Sequence, residues 1–251
     1  MSITTDYKPE VSVIVPMYRE ASRAELLRRT AFGLHCILDR EFRGAYELIA
    51  VNDGSTDGSD IIAGATGMRV IDAHPSGLNH GKGTAVLTGL NEAAGNIRLF
   101  TDADGSYVLR GDGYDGSTVL RLIEAVKNGN HIAVARRVDS VKAHDGKSRS
   151  FYHSLSRSLE LIAPTGVSDP QAGAKAFSAS AIEYSCKPIP HEHQGFGTDR
   201  TILHLARILD LKVAEIDAEI EVADGSHVRP LPVGGQLIWQ AFEARRLGKE
   251  L

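Results

Sequence analysis

Tyr46-Glu47-Leu48-Ile49-Ala50-Val51 runs directly into Asn52-Asp53-Gly54-Ser55-Thr56-Asp57-Gly58. The first six residues read as a strand buried on both faces, and the following seven are dense in turn formers. The same grammar stands upstream, where Val11-Ser12-Val13-Ile14-Val15 is closed by Pro16. It returns downstream, where residues 96–101 end in Asp102-Ala103-Asp104-Gly105. Shorter strands are expected at 69–73 and 131–135. Between them, residues 23–39, 81–94 and 117–128 read as helices; in the first, Leu26, Leu27, Thr30, Leu34, Ile37 and Leu38 fall at helical spacing. Strand and helix alternating in this way predict an α/β fold with a Rossmann-like, mostly parallel sheet flanked by helices. Ligands of such sheets sit beyond the C-terminal ends of the strands, so the polar clusters at 52–57 and 101–106 are where chemistry is expected.

The second half alternates less regularly. Residues 138–149, with Lys142, Lys147 and Arg149, read as a mobile basic loop, and 150–163 as a helix. A helix is expected at 199–209, strands at 212–216 and 218–222, and a final helix at 235–250. No repeat or linker interrupts the 251 residues, which predicts a single domain over 1–251.

Composition narrows the function classes. Apolar residues make up 42% and charged residues 24%, an ordinary globular balance. A net charge of −4 argues against gripping nucleic acid through counterion release. Cys36 and Cys186 are too few for a disulfide framework and read as two buried thiols of a reducing compartment. No apolar run approaches the roughly 18 residues of a membrane span, and Met1 to Glu10 lacks the apolar core of a signal peptide. A cytoplasmic protein, at most peripheral at a membrane, is the expectation.

Asp102 and Asp104 are the sharpest chemical feature. In an extended segment residues i and i+2 point the same way, so both carboxylates would share one hard cation that also grips a diphosphate. Asp53 stands at another strand end, suited to accept a hydrogen bond from a base N–H, while Ser55, Thr56 or Asp57 caps the helix that follows. Gly81-Lys82-Gly83 opens a helix whose N-terminus favours anions, but lacks the spacing of a phosphate-binding nucleotidase loop. His191-Glu192-His193 reads as an exposed polar loop rather than a metal site.

Taken together, Val11 to Pro16 with Tyr18, Asn52 to Gly58, His80-Gly81-Lys82-Gly83 and Asp102-Ala103-Asp104-Gly105 resemble, in order and spacing, the family 2 glycosyltransferases of the GT-A fold. The resemblance implies a sugar-nucleotide donor (a UDP- or GDP-hexose), a Mg2+ or Mn2+ ion and inversion at the anomeric carbon. It implies a nucleotide-sugar half, 1–105, and an acceptor half, 106–251. It places Pro16, Tyr18, Glu20, Asp53, Lys82, Asp102 and Ala103 around the donor, and Asp102 and Asp104 at the metal.

Farther on, Arg149-Ser150, Asp169-Pro170-Gln171-Ala172-Gly173-Ala174-Lys175-Ala176-Phe177, Phe196 to Asp199, and Gly225-Ser226 with Pro230 look like the dolichyl-phosphate glucosyltransferase branch. That resemblance implies glucose from UDP-glucose and a polyprenyl phosphate acceptor; a GDP-mannose-dependent polyprenyl-phosphate mannosyltransferase is the neighbouring reading. An anionic acceptor needs cationic guides more than a base. Arg149 and Lys175 fit that role, with Arg137 and Arg157 as further candidates, and Asp169 and Asp199 orient them. The chain departs from the branch at Asn52, Thr201 and His227, and at 107–116, which reads as an expanded, glycine-rich loop beside the metal. A soluble hydroxyl acceptor keeps the same donor chemistry, and Asp199 or Asp169 then serves as base. A nucleotidyltransferase is disfavoured, because Pro16-Met17-Tyr18-Arg19-Glu20 is not a glycine-rich basic loop. The C-terminal helix packs on the domain through its apolar residues, or lies at a lipid surface with Arg245, Arg246 and Lys249.

Overall fold

The computed structural model describes residues 8–110, 113–138, 158–220 and 230–251. A seven-stranded sheet forms its centre, in the order β3-β2-β1-β4-β8-β7-β9. The strands are β1 (Val11–Met17), β2 (Tyr46–Asn52), β3 (Arg69–Asp72), β4 (Ile97–Thr101), β7 (Ile132–Arg137), β8 (Ala174–Ser178) and β9 (Val213–Ala218). β1 pairs in parallel with β2 and β4, β2 with β3, and β7 with β9. β8 lies antiparallel between β4 and β7, with Leu99 opposite Ala176 and Ala133 opposite the same residue.

Why these segments become strands is visible in their burial. All seven residues of β1 are buried, so a period-2 alternation would have placed polar groups in the core. Helices α1 (Ala24–Phe42), α2 (Ser59–Gly64), α3 (Lys82–Glu92) and α4 (Ser117–Lys127) cross between the strands. α1 buries Leu27, Ala31, Leu34, Leu38 and Phe42, one apolar stripe at spacings of three and four. It ends where Arg43 turns left-handed at φ 49°. α3 comes close to the sheet because Gly89 has no side chain: a Cβ there would lie 2.9 Å from a Val51 methyl. Full burial of a side chain such as Phe100, on β4, contributes about 1.5–3 kcal/mol.

Helices α5 (Thr198–Ile208) and α6 (Pro230–Leu247) pack on each other. A satellite core of Leu159, Ala163, Leu237, Ala241 and Ala244 joins α6 to the helical residues 158–162. Ile238, Trp239 and Phe242 on α6 remain exposed. Among the described residues no helix is long and apolar enough to cross a membrane.

Several expectations are corrected. The strand expected at 212–216 runs on through Ala218 as β9, residues 219–220 are not strand, and the rest of the strand expected at 218–222 lies outside the described residues. The C-terminal helix spans Pro230–Leu247 among the described residues, rather than 235–250. Residues 174–178 form a strand that carried no strand signal. The stretch 107–116 is not an open loop: Tyr107 and Val108 are buried, and β5 (Leu109–Arg110) pairs with β6 (Gly113–Tyr114). Cys186 is buried and Cys36 only half so, both as free thiols. His193 is buried, its ring edge-on to Trp239, although His191 is exposed. The basic loop expected at 139–149 and the helix start at 150–157 lie outside the described residues.

Candidate active site

β1, β2 and β4 deliver their C-terminal ends to one cleft of about 550 Å³. Pro16, Tyr18, Glu20, Asp53, Lys82, Asp102, Ala103 and Asp104 all line it. Every donor residue expected from the sequence is therefore gathered in one place.

Asp53 follows β2 and is 2% exposed. Its carboxylate is held by the loop before α3. The His80 backbone N–H donates to Oδ1 at 2.8 Å, and the Gly81 N–H to Oδ2 at 2.8 Å. The Asn79 side-chain amide donates to Oδ2 at 2.8 Å and to the Asp53 carbonyl at 3.2 Å. This approach requires glycine at 54, where φ is +75° and a Cβ would sit 2.6 Å from the Asn79 nitrogen. Beside it, the Asn52 amide donates to Asp72, and its oxygen accepts from the Ser55 N–H at 2.9 Å. The N-cap of α2 is Gly58 rather than Ser55, Thr56 or Asp57, although Asp57, the residue before it, accepts from the Ser59 N–H at the start of the helix.

β4 ends at Thr101, and residues 103–104 are already a turn. The extended-strand argument for parallel carboxylates therefore does not apply; the turn itself brings Asp104 to the cleft. Asp102 pairs with Lys82, Nζ to Oδ1 at 2.5 Å, both side chains about one-third exposed. Burial works against the Lys82 ammonium, but Asp102 and then Asp199 outweigh it and raise its pKa. The other Asp102 oxygen faces Gly173, where any Cβ would collide with it. Asp104 accepts one hydrogen bond, from the Ser106 N–H at 3.0 Å, which leaves its second oxygen unclaimed among the described residues.

The opposite wall holds a second constellation. Arg137, at the end of β7, lies in the cleft and is gripped by Asp169 through two bonds, Nε–Oδ2 at 2.6 Å and Nη2–Oδ1 at 2.7 Å. Burial pushes Asp169 upward, but the Arg137 guanidinium wins and its pKa falls below the usual carboxylate value of 3.8. Tyr107 accepts from the Gly173 N–H at 3.0 Å, and burial pushes its hydroxyl pKa well up. Gln171 lines the cleft with its Nε2 buried and unbonded among the described residues.

Lys175 is not in the cleft but behind it. Its side chain is fully buried, and Nζ donates to Asp199 Oδ1 at 2.8 Å and to the Ala172 carbonyl at 2.6 Å. It reaches no ligand there; it ties the loop before β8 to the first turn of α5. Arg149 and Arg157 lie outside the described residues. The sequence reading missed Asn79 and Tyr107, neither of which carries a motif, and had Arg137 only as one cation among several.

Two carboxylates, one engaged by a lysine, make a sparse metal site, and no three ligating side chains converge among the described residues. That donor set fits a hard cation such as Mg2+ or Mn2+, which keeps water and takes substrate phosphate oxygens alongside one or two carboxylates.

A family model, "Glycosyl transferase family 2", matches residues 12–184. A dolichyl-phosphate beta-glucosyltransferase of Drosophila melanogaster is 29% identical over 88% of this chain and 70% of its own length. Its Homo sapiens counterpart is 26% identical over 88% and 70%. Among solved structures, glucosyl-3-phosphoglycerate synthase from Mycobacterium tuberculosis superposes with a TM-score of 0.69 at 20% identity, covering 95% of this chain and 80% of that one. Mannosyl-3-phosphoglycerate synthase from Rubrobacter xylanophilus superposes at 0.67 and 20%, covering 96% and 75%. The fold these structures share with the present chain is GT-A.

Proposed function

The chain belongs to glycosyl transferase family 2, and from that premise we propose that it transfers glucose, with inversion, from UDP-glucose to a polyprenyl phosphate. One observation carries the reading: the cleft has a carboxylate wall of Asp53, Asp102 and Asp104, and a facing arginine, Arg137, presented by a carboxylate of its own. The first wall suits a nucleoside diphosphate with its cation, and the second suits a phosphate. The activity named for the relatives, glucosyl transfer to dolichyl phosphate, supports the same pairing.

Asp53 accepts the base N–H. Lys82 and Asp102 stand at the ribose and diphosphate, with Pro16, Tyr18, Glu20 and Ala103 around the nucleoside. Asp104 with Asp102 holds the divalent cation, which when bound supplies positive charge for the departing diphosphate. Arg137 has Nε and Nη2 committed to Asp169, so Nη1 is left to meet a phosphate oxygen. The acceptor phosphate is already anionic at neutral pH, so no side chain has to remove a proton before its oxygen attacks. Arg149 shares the acceptor phosphate with Arg137, and Lys175 acts indirectly, by holding Asp199 and the 172 carbonyl in place. In this reading residues 1–105 serve the donor and 106–251 the acceptor.

The test is a donor screen with and without polyprenyl phosphate, following nucleoside diphosphate release. UDP release from UDP-glucose that requires both the polyprenyl phosphate and a divalent cation is expected. A simple alcohol that outperforms the polyprenyl phosphate would overturn the acceptor assignment. Asp104→Ala is expected to abolish transfer while the circular-dichroism spectrum is unchanged, because a turn carboxylate contributes little packing.

A further inference from the structure

Asp53 does not meet a ligand as a free carboxylate. A carboxylate has about four lone-pair positions. The Gly81 N–H and the Asn79 amide fill both positions on Oδ2, and the His80 N–H fills one on Oδ1. One acceptor position, on Oδ1, remains. Both hydrogens of the Asn79 amide are used, one on the carboxylate and one on the Asp53 carbonyl, so the amide bridges two groups of the same residue. Asn79 also lines the cleft.

The number of free positions decides which base the carboxylate accepts. Uracil presents a single N–H between two carbonyls and needs one acceptor. Guanine presents two adjacent N–H donors, which fork onto both oxygens of a free carboxylate. Cytosine and adenine offer one exocyclic N–H but set a ring acceptor beside it, whose lone pair faces the carboxylate, so they bind less well than uracil. We propose that Asn79 is a specificity-determining residue: by filling Oδ2 of Asp53 it leaves a single acceptor, admitting uracil and refusing guanine's two-donor edge. The inference rests on the reading that Asp53 meets the base. The two backbone donors, His80 and Gly81, come with the fold, whereas the Asn79 amide is a side chain and can be exchanged without touching the backbone.

The experiment is calorimetric titration of UDP, GDP and CDP into the wild type, Asn79→Ala and Asp53→Ala, each first checked by circular dichroism and thermal unfolding. Asn79 is exposed, so its truncation is expected to leave the fold intact. The wild type should bind UDP better than either GDP or CDP. In Asn79→Ala the UDP-to-GDP affinity ratio should fall by about fivefold or more, the scale of discrimination by a two-bond base contact, while the UDP-to-CDP ratio holds, since cytosine has no second adjacent donor to gain. A purely structural role would weaken all three nucleotides together and leave the ratio unchanged; that result, or a wild type that does not prefer UDP, overturns the proposal. Asp53→Ala, which removes both acceptor oxygens, separates the two layers of argument. Undiminished UDP affinity in that variant removes the base-reading role of Asp53 itself, whatever Asn79→Ala does.

Discussion

Lys175 is an ammonium with no access to water, and its partners decide what it costs the protein. Burial lowers its pKa, with the Asp199 carboxylate opposing. Lys175→Met would strand that carboxylate and the Ala172 carbonyl, a loss of about 3–5 kcal/mol, measurable by urea denaturation. Lys175→Met combined with Asp199→Leu should recover much of it, since no buried charge is then left alone. Asp169 makes a pH prediction of definite sign. Its folded pKa lies below 3.8, so its pairing with Arg137 contributes fully above that pH and fades as pH falls through the depressed value. Thermal unfolding of the wild type and Asp169→Asn should therefore differ at pH 7, with the gap starting to narrow only as pH falls below about 3.8 and closing below the depressed folded value. A gap that persisted undiminished into strong acid would contradict the pairing.

Between residue and fold, elements meet at glycines. Gly173, just before β8, lies so close to Asp102 that any Cβ would displace the carboxylate, while its N–H and carbonyl hold Tyr107 and the Asp102 N–H. Gly173→Ala should leave a folded protein whose turnover falls on the order of a hundredfold, the cost of a misplacement near 1 Å, with nucleoside diphosphate release as the readout. What the sequence disclosed at this scale follows from burial. β1, β2 and β4 are covered on both faces and write themselves as apolar runs. β8 does not: Ala174-Lys175-Ala176-Phe177-Ser178 is small and charged, and its lysine is tolerated only through a partner 24 residues away. The helix α6 was read short because Gly234 and Gly235 are poor helix formers, outweighed here by packing of Leu237, Ala241 and Ala244. In the site, Asp53, Lys82, Asp102 and Asp104 were legible because strand ends collect function. The Asp53 clamp and the Arg137–Asp169 pair were not, since each joins segments 26 or more residues apart with no local pattern.

Across the whole molecule the sheet divides unequally in sequence. Its first four neighbours, β3, β2, β1 and β4, come from residues 11–101 in consecutive strand-helix units. The other three are joined to them through β8 alone, and β8 is made after β7, which it separates from β4. This arrangement imposes an order of assembly. The first four strands can pair as soon as they emerge, whereas β7 and β9 have no sheet to join until β8 has folded back against β4. Loops that must close before contacts reward them make such pairings late. Pulsed hydrogen exchange during refolding should thus protect the amides of β1, β2 and β4 before those of β7, β8 and β9. A chain released from the ribosome partway would carry the carboxylate wall of Asp53, Asp102 and Asp104 already formed, while the wall of Arg137 and Asp169 had yet to exist.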